Sequence, residues 1–424
     1  MNTDTANIQP DVDLAKELFD KLREATFDGV GITRDTFGEG EQKAHDIVTA
    51  AAKGLGLEIE TDFAGNLYLR LPGADRKAKQ LLLGSHLDSV PQGGNYDGAA
   101  GVLAGLAVVA GLKRAGVTPA RDITVIVVRG EESAWFPYSY IGSRCALGLI
   151  PPEVVDEVKR SDSGVSLGEQ MRKGGWDPDA VKAGRKHVTP ENTAGYIEVH
   201  IEQGPVLLSE GLPVAVVTGV RGSSRRRSAK IAGEYSHSGA VPRKYRKDAA
   251  AAFAEFAYRV DRRWIEIDEA GGDLVVTFCT LGTNPKRHAF SIIPGEVSFS
   301  LDMRSTSRET LDEMDAFIAK LVPELEEKRG VTFDLGPYTD TPAPGMDDGL
   351  RKGLARAAES AGVKFREMAS GGGHDAVAFN QAGIPAAMLF VRNEHGSHNP
   401  DEHMEIADFA EVCRVLMTYV RAEA

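Results

Sequence analysis

Five side chains that can bind metal ions occur at or just after the ends of apolar, strand-like segments. His86 and Asp97 lie within "LLLGSHLDSVPQGGNYDGAAG", and Glu132 follows "ITVIVVRGE". His200 and His398 occur in "GYIEVHIEQG" and "MLFVRNEHGSH". Because loops at the carboxyl ends of sheet strands build the sites of α/β proteins, we expect these five side chains to meet. Imidazole and carboxylate ligands suit zinc, manganese or cobalt.

Each of these residues has an ordinary structural explanation when it is considered alone. Asp97 could cap the helix that begins near Gly98, and a single histidine such as His200 is more often structural than a ligand. Two adjacent glutamates in a solvated loop are also common. The joint placement of all five ligand types after strands favours a metal centre over five separate explanations.

Two further carboxylates beside these ligands indicate what such a centre could do. Asp88 lies two residues after His86, so both side chains point to the same face of an extended chain, and Asp88 could hold the second ring nitrogen. Glu131 directly precedes Glu132, and adjacent carboxylates beyond a buried strand are costly unless cations or a raised pKa relieve them. One glutamate as a metal ligand and the other as a proton carrier would meet this requirement.

Composition excludes several classes of protein. The chain has 49 Lys and Arg against 62 Asp and Glu, and its net charge of -13 argues against nucleic acid or a membrane as a partner. Three scattered cysteines in no CxxC pattern predict neither a disulfide framework nor a thiolate zinc site. The N-terminus has no basic region followed by an apolar core, and no apolar run reaches membrane-spanning length. We therefore expect a cytoplasmic protein.

Hydrophobic periodicity predicts an α/β fold. Helical spacing covers residues 11–57, with a break at a Gly/Thr-rich segment. Strands are predicted at residues 58–71, 80–83 and 122–129, with a helix at residues 99–114 between the last two. This alternation predicts a catalytic domain with a mostly parallel central sheet flanked by helices.

The pattern of predicted strands and helices changes after Gly219. Residues 221–333 are predicted to form a compact α+β unit inserted into the first, because their strand and helix patterns no longer alternate regularly. The catalytic domain is then discontinuous, with residues 1–220 and 334–424. The Ser/Gly/Lys-rich segment at residues 159–186 is predicted to be a surface excursion.

The chain resembles a known family, the dinuclear-metal amidohydrolases and aminopeptidases that include L-carbamoylase (N-carbamoyl-L-amino-acid hydrolase), β-ureidopropionase and allantoate amidohydrolase. The matching motifs run in family order from about residue 30 to the C-terminus: "GSHLDSVPQGGNYDGAAGVLAGL", "EES", "HIEQGPVL", "VVTGVRG", "HSGAVPRKYRKDA", "IIPGEVSFSLDMRS", "SGGGHDA" and "GSHNPDE". This combination is highly specific. The resemblance implies hydrolysis of a linear C–N bond in a small substrate that bears a carboxylate.

The resemblance also assigns the metal ligands as two overlapping sets. His86, Asp97 and His200 would bind one divalent ion. Asp97 would bridge to a second ion, which Glu132 and His398 would also bind. The cofactor would be two divalent ions per subunit, with zinc, manganese and cobalt as the candidates.

Outside the ligands, the resemblance assigns a base and substrate-binding residues. Glu131 would be the general base that takes a proton from water. His237 would be a second catalytic and substrate-binding residue that reaches an oxygen atom at the metals, often in the partner subunit's site. This role implies a homodimer through the smaller unit, which would act as a lid and dimerisation domain. Arg304 would clamp the substrate carboxylate, and Gln203 and His374 fall on pocket motifs.

Three motifs depart from the carbamoylase pattern near the expected substrate pocket. Ser291, which we expect to contact substrate, stands in "SIIPG" where carbamoylases usually have Asn. The chain also has "EESAWF" in place of "EEGxRF" and "HSGAVPR" in place of "HAGTTPM". The predicted metal ligands and Glu131 are intact, so the departures concern the substrate rather than the chemistry.

The main hypothesis is hydrolysis of an N-carbamoyl amino acid or a related ureido compound. One alternative is amide hydrolysis like that of an aminoacylase or dipeptidase, and another is hydrolytic deamination of an unusual amine, suggested by Ser291 and Trp135. A non-catalytic metal-binding protein is disfavoured because it would not need Glu131. A Rossmann dinucleotide site is disfavoured because the G-x-G-x-x-G spacing is absent.

Overall fold

The computed structural model describes residues 8–423, which form two compact units. The first unit runs up to Thr218 and resumes at Met346, and the second is Gly219–Gly345. Residues 1–7 and 424, which the predicted catalytic domain includes, lie outside the described residues. The sequence predicted that the second unit ends at residue 333. It extends to Gly345 because the strand Tyr338–Thr341 pairs with the strand Gly222–Ala232.

Both units contain helices and strands. The helices are α1 (Val12–Thr26), α2 (Glu39–Gly54), α3 (Ala99–Arg114), α4 (Ile141–Leu147), α5 (Pro152–Glu157), α6 (Leu167–Lys173), α7 (Pro178–Lys182), α8 (Val206–Glu210), α9 (Ala249–Glu269), α10 (Arg308–Arg329), α11 (Asp348–Ser360), α12 (Asp375–Gln381) and α13 (Ile406–Glu423). The strands are β1 (Glu58–Thr61), β2 (Leu67–Leu71), β3 (Gln80–His86), β4 (Ile123–Val128), β5 (Thr193–Ile201), β6 (Val214–Val220), β7 (Gly222–Ala232), β8 (Ser236–His237), β9 (Val275–Thr277), β10 (Leu281–Thr283), β11 (Ile292–Ile293), β12 (Glu296–Ser305), β13 (Thr332–Asp334), β14 (Tyr338–Thr341), β15 (Phe365–Ser370) and β16 (Ala386–Val391).

The central sheet of the first unit has the strand order β1-β2-β4-β3-β5-β16-β6-β15. Its middle strands β4, β3, β5 and β16 run parallel, and their side chains are almost entirely buried, as is typical of parallel strands covered on both faces. The prediction of a mostly parallel central sheet is therefore confirmed. Antiparallel pairs flank this middle, and β1 and β2 can pair in that way because a short turn joins them.

The four parallel strands all end at one edge of the sheet. β3 ends at His86, β4 at Val128, β5 at Ile201 and β16 at Val391. Parallel strands share one direction, so the loops that follow them emerge side by side. This edge places the predicted metal ligands near one another.

Helix α3 packs closely on this sheet at Gly101. It begins and ends where the sequence predicts, and its apolar residues are buried on all sides. A Cβ atom at Gly101 would lie 2.2 Å from the carbonyl oxygen of Val199 and 2.6 Å from Cβ of Ser85. Position 101 therefore requires glycine because the helix backbone approaches β5 and β3 too closely for any side chain.

We expect Gly101→Ala to destabilise the first unit, since the new methyl group would overlap backbone atoms that cannot move without disturbing the sheet. Overpacking of this kind costs about 1–3 kcal/mol in the free energy of unfolding. Denaturant unfolding of the purified protein measures the change. Gly54→Ala is the control: nothing lies within 4 Å of a Cβ there, so it is expected to be neutral or slightly stabilising. Equal stability of both variants would contradict this account.

The segment at residues 159–186 is not a simple surface excursion, and that prediction is wrong. Helices α6 and α7 bury Leu167, Met171 and Val181 in a cluster that also contains Phe136 and Ile141. Leu167 and Met171 are four residues apart, which is helical spacing. The many Ser, Gly and Lys residues around them hide this short apolar pattern.

The second unit is built on an antiparallel sheet. β7 and β12 pair along most of their length, β9 and β10 pair with β12, and β13 and β14 pair with β7. Helices α9 and α10 contribute Phe256, Met314 and Leu321 to a core shared with Ile231 and Phe299. β8 and β11 form a separate two-stranded ribbon.

The structure bears on what the sequence predicted about cysteines and membrane-spanning segments. Cys145, Cys279 and Cys413 are all free, and the first and last are buried. Within residues 8–423, no helix combines the length and apolar character needed to cross a membrane.

Candidate metal centre

The structure brings the five predicted ligands together in two groups that share Asp97. One group is His86, Asp97 and His200, and the other is Asp97, Glu132 and His398. Within each group, one ligand atom from each residue lies within 4.8 Å of the others. The two strand histidines are buried, and the side chain of His398 is half exposed.

The distances within both groups are those of adjacent ligands on a common ion. Oδ1 of Asp97 lies 3.0 Å from Nε2 of His200 and 3.6 Å from Nε2 of His86. Nε2 of His398 lies 3.5 Å from Oδ2 of Asp97 and 3.2 Å from Oε1 of Glu132. Two ligands about 2.1 Å from a tetrahedral zinc ion are about 3.4 Å apart. Asp97 faces one group with each oxygen, which is the arrangement that a bridging carboxylate needs.

Asp97 does not act as a helix cap. Gly98 occupies the capping position of α3, and no side chain there accepts a hydrogen bond from the first turn. Oδ2 of Asp97 instead accepts hydrogen bonds from Nε2 of Gln203 at 2.8 Å and from Oγ of Ser397 at 2.5 Å. The capping explanation is therefore wrong, and the carboxylate is directed at the ligand cluster.

Hydrogen bonds to backbone carbonyls orient the two strand histidines. Nδ1 of His86 lies 3.1 Å from the carbonyl oxygen of Asp88, and Nδ1 of His200 lies 2.9 Å from that of Ile201. A carbonyl oxygen can only accept, so Nδ1 carries a proton and Nε2 of the neutral ring directs its lone pair at Asp97. A lone pair that faces a carboxylate oxygen requires a proton or a metal ion between them. The donor set therefore fits a divalent ion.

The charges in the cluster also favour a cation. Burial by itself lowers the pKa of His86, but the carboxylates of Glu131 and Asp88 raise it well above its usual range. Hydrogen bonds to the carboxylates of Asp97 and, to a smaller extent, Glu132 raise the pKa of His398 to about 10. The cluster thus holds protons in the metal-free protein, and metal ions displace such protons when they bind.

Asp88 is fully buried and connects the two sides of the cluster. Its Oδ1 lies 3.2 Å from Nδ1 of His86. Its two oxygens also accept the backbone N–H groups of Glu131 at 3.1 Å and of Glu132 at 3.2 Å, and Oδ2 accepts the hydroxyl of Thr36 at 2.6 Å. Asp88 therefore orients both the imidazole of a candidate ligand and the turn that carries the glutamate pair.

Glu131 lies beside the ligands but belongs to neither group. Its Oε2 is 3.9 Å from Nε2 of His86, and its side chain is buried in the wall of the adjacent cavity. Burial raises the pKa of Glu131 well above its usual range, the charge of His86 opposes this shift, and Glu132 adds to it. A carboxyl group with this affinity for protons can act as a general base and then as an acid.

A cavity of about 180 Å³ adjoins the ligands. It is smaller than the roughly 300–1,000 Å³ of sites for drug-sized ligands. Its wall contains Glu131 and ligand residues, together with Ser133, Ser139, Tyr140, Gln203, Gly372, Gly373 and His374. This cavity of the first unit is therefore small and polar.

Gln203 and His374, both predicted to bind substrate, lie in this wall and contact the ligand cluster. The side chain of Gln203 donates a hydrogen bond to Asp97. The backbone of Gln203, just after the end of β5, has a positive φ of 61°, which is uncommon for a residue other than glycine. Nε2 of His374 lies 3.0 Å from Oγ of Ser370, and its ring centroid is 4.5 Å from that of His200. Burial lowers the pKa of His374 well below its usual range, so its ring is neutral.

Comparison with known proteins identifies the family. The model of "Peptidase family M20/M25/M40" matches residues 82–422, which is most of the chain. The chain belongs to this family. The match includes all five candidate ligands of the two clusters and Glu131.

The M20 chain is also similar to curated and structurally solved proteins. It is 36% identical over 392 residues to the N-carbamoyl-L-amino acid amidohydrolase of Geobacillus stearothermophilus, covering 91% of this chain and 92% of that one. It is 32% identical over 364 residues to the allantoate amidohydrolase of Escherichia coli, covering 85% of each chain. A hydantoinase/carbamoylase family amidase from Burkholderia multivorans superposes with a TM-score of 0.89, at 27% identity over 98% of both chains.

Two predicted substrate residues of this M20 chain, His237 and Ser291, are neighbours in the second unit. The β8–β11 ribbon pairs His237 with Ile292, and the N–H of the residue after His237 donates to the carbonyl of Ser291 at 2.9 Å. Nδ1 of His237 accepts the N–H groups of Gly239 and Ala240, both at 3.1 Å. In the neutral ring, Nε2 therefore carries the proton, and this exposed histidine presents an N–H donor.

Arg304, the predicted carboxylate clamp, lies on β12 of the second unit. Its Nε and Nη2 donate to Oδ2 of Asp302 at 3.1 and 2.9 Å. The side chain is about one third exposed, so its guanidinium group remains partly accessible. Asp302 also accepts a hydrogen bond from Arg225, and the two arginines share its charge.

The "EESAWF" departure contains one cavity residue and one packing residue. Ser133 lines the cavity, but Trp135 does not. Nε1 of Trp135 donates to the carbonyl of Ser89 at 2.8 Å, and its ring lies 4.9 Å from the guanidinium carbon of Arg160. The indole of Trp135 therefore holds neighbouring loops together, and Ser133 is the residue of this motif that lines the cavity.

The sequence interpretation missed Tyr140, which lines the cavity from the turn before α4. A Cβ atom at Gly373 would lie 1.7 Å from its hydroxyl oxygen, so the glycine in "SGGGHDA" makes room for this ring. It also missed Glu402, which contacts the Asp97 turn. The only signals in the sequence were an aromatic residue in a loop and an acidic residue after "GSHNP".

Proposed function

We propose that this protein is a metal-dependent amidohydrolase that cleaves a linear C–N bond of a small substrate bearing a carboxylate. The substrate class that we favour is an N-carbamoyl amino acid or a related ureido compound. The observation that carries this proposal is the position of Glu131 beside two ligand groups that share Asp97. The names of the Geobacillus and Escherichia coli relatives support the substrate class.

The two ligand groups would hold two divalent ions, for which zinc, manganese and cobalt are the candidates. Asp97 would contribute one oxygen to each ion. When bound, such ions polarise a carbonyl group and lower the pKa of water toward about 7. The protein supplies the fixed imidazole and carboxylate groups that hold them, and Asp88 keeps the His86 ring in place.

Glu131 would carry the proton through the reaction. It accepts a proton from water at a carboxylate oxygen as the water oxygen attacks the carbamoyl carbon. It then returns the proton to the amino nitrogen as the C–N bond breaks. For an N-carbamoyl amino acid the products are the free amino acid and carbamate, which decomposes to ammonia and carbon dioxide.

The remaining predicted residues would bind the substrate. Gln203 and His374 line the cavity and touch the ligand residues, so they would contact the reacting group. In the second unit, Arg304 would pair with the substrate carboxylate through its planar fork of donors. His237 and Ser291 would offer an N–H and a hydroxyl donor. We further propose that this unit serves as a lid and as the interface of a homodimer.

Turnover by the purified protein tests this function. The metal-free chain is reconstituted separately with zinc, manganese and cobalt and assayed against N-carbamoyl, N-acyl, dipeptide and ureido compounds, with amine and ammonia measured together. We expect metal-dependent release of equal amounts of amine and ammonia from an N-carbamoyl amino acid. Amine without ammonia, from an N-acyl compound or dipeptide, would instead establish the aminoacylase or dipeptidase alternative that fits the family's peptidase name. No turnover of any compound would contradict the proposal.

A further inference from the structure

The carboxyl group of Glu402 joins the turn that carries Asp97 to the loop that carries His398. Its Oε1 accepts the backbone N–H groups of Tyr96 at 2.8 Å and of Asp97 at 3.1 Å. Its Oε2 lies 2.6 Å from the hydroxyl of Ser397, which in turn lies 2.5 Å from Oδ2 of Asp97. One buried side chain thus contacts two segments that are about 300 residues apart in sequence.

The Asp97 turn is shaped to receive this side chain. A Cβ atom at Gly94 would lie 2.1 Å from both Cδ and Oε1 of Glu402. The carboxyl group cannot swing away without losing its bonds to Tyr96, Asp97 and Ser397. Glycine at position 94 therefore leaves the space that the carboxyl group fills.

The position of His398 depends on such contacts between loops more than the positions of His86 and His200 do. His398 has a positive φ of 61°, a sparsely populated conformation that persists only when the surroundings hold it. The loop is closed at its base by two hydrogen bonds between Glu394 and His403, next to Glu402. His86 and His200 instead lie in central strands, with each Nδ1 at a backbone carbonyl.

We propose that Glu402 is a positioning residue that sets the affinity of the second half-site, formed by Asp97, Glu132 and His398. It belongs to neither ligand group and acts through the Asp97 backbone and the Ser397 hydroxyl. This inference rests on the proposed metal centre. The half-site of His86 and His200 keeps its strand-borne ligands, so its affinity depends less on Glu402.

Calorimetric titration of the metal-free, full-length protein with zinc or cobalt tests the inference without an activity assay. The unmodified chain is expected to bind two ions. In Glu402→Ala, the second ion is expected to bind about 10–100-fold more weakly, as when groups that orient metal ligands are removed, while the affinity for the first ion changes much less. Glu402→Gln is expected to restore the second ion, because its amide oxygen accepts both N–H groups and its nitrogen donates to Ser397.

Asp408→Ala is the matched control, because Asp408 is as buried as Glu402, at 6% exposure, but pairs with Arg392 instead. It is expected to bind both ions normally. If Glu402→Ala does not fold, Glu402→Asp keeps the charge on a side chain one methylene too short to span both segments. Unchanged binding of the second ion, an equal loss of both ions, or the same loss in the control would overturn the inference. Failure of the unmodified chain to bind two ions would contradict the proposed two-metal centre itself.

Discussion

Replacement of Glu131 by Gln is expected to reduce turnover by about 10²–10⁴-fold while leaving the binding of divalent metal ions intact. Glu131 lies close to His86 but in neither ligand group, so its removal leaves both groups complete. Gln has the same shape and keeps the backbone bond to Asp88, but its amide cannot accept and return a proton. A general base contributes about 10²–10⁴-fold to a rate, so kcat should fall by that factor with little change in KM.

The neighbouring glutamate provides the control for this experiment. Glu132 belongs to the second candidate ligand group, so Glu132→Gln should lose metal together with activity. Steady-state kinetics on the substrate found in the panel, with metal content measured on the same samples, distinguishes the two variants. If Glu131→Gln keeps its activity, Glu131 is not the base. If it loses metal like Glu132→Gln, Glu131 is a ligand.

The sequence was sufficient to predict where the candidate ligands lie, because strands and their ends leave a local signal. Alternation and apolar runs marked the segments that end near His86 and His200, and the structure places both at the end of central strands. The bounds of α3 agreed with the prediction at both ends, because a continuous apolar stretch follows a glycine-rich turn. Local patterns of this kind depend only on neighbouring residues.

Contacts between distant segments could not be predicted in the same way. Trp135 attracted notice only through its place in a motif, whereas its packing on Arg160 and its hydrogen bond to Ser89 follow from the fold. Glu402 lies in the motif "GSHNPDE", but nothing in that motif indicates its contact with Asp97, which spans 305 residues. Asp88 was expected to hold His86, but its bonds to the glutamate turn follow only from how β3 and β4 lie side by side. Such roles are fixed by the tertiary structure.

Because Asp97 belongs to both candidate ligand groups, its substitution is expected to affect the binding of both metal ions. Asp97→Asn should prevent the binding of both ions, because the amide nitrogen has no lone pair for a second ion and the remaining oxygen carries no charge. His398→Ala should affect only one ion, since His86 and His200 remain with Asp97. The two variants therefore separate a bridging carboxylate from two independent sites.

Thermal unfolding with and without added metal measures this difference. An ion that binds only the folded state stabilises it by about 2.7 kcal/mol when its concentration is 100 times its Kd. The melting temperature of the unmodified protein should therefore rise when zinc is added, that of His398→Ala should rise less, and that of Asp97→Asn should not change. Comparison of each variant with its own metal-free form corrects for the lost hydrogen bonds of Gln203 and Ser397 to Asp97. A full rise for Asp97→Asn would show that the two groups hold ions without a shared carboxylate.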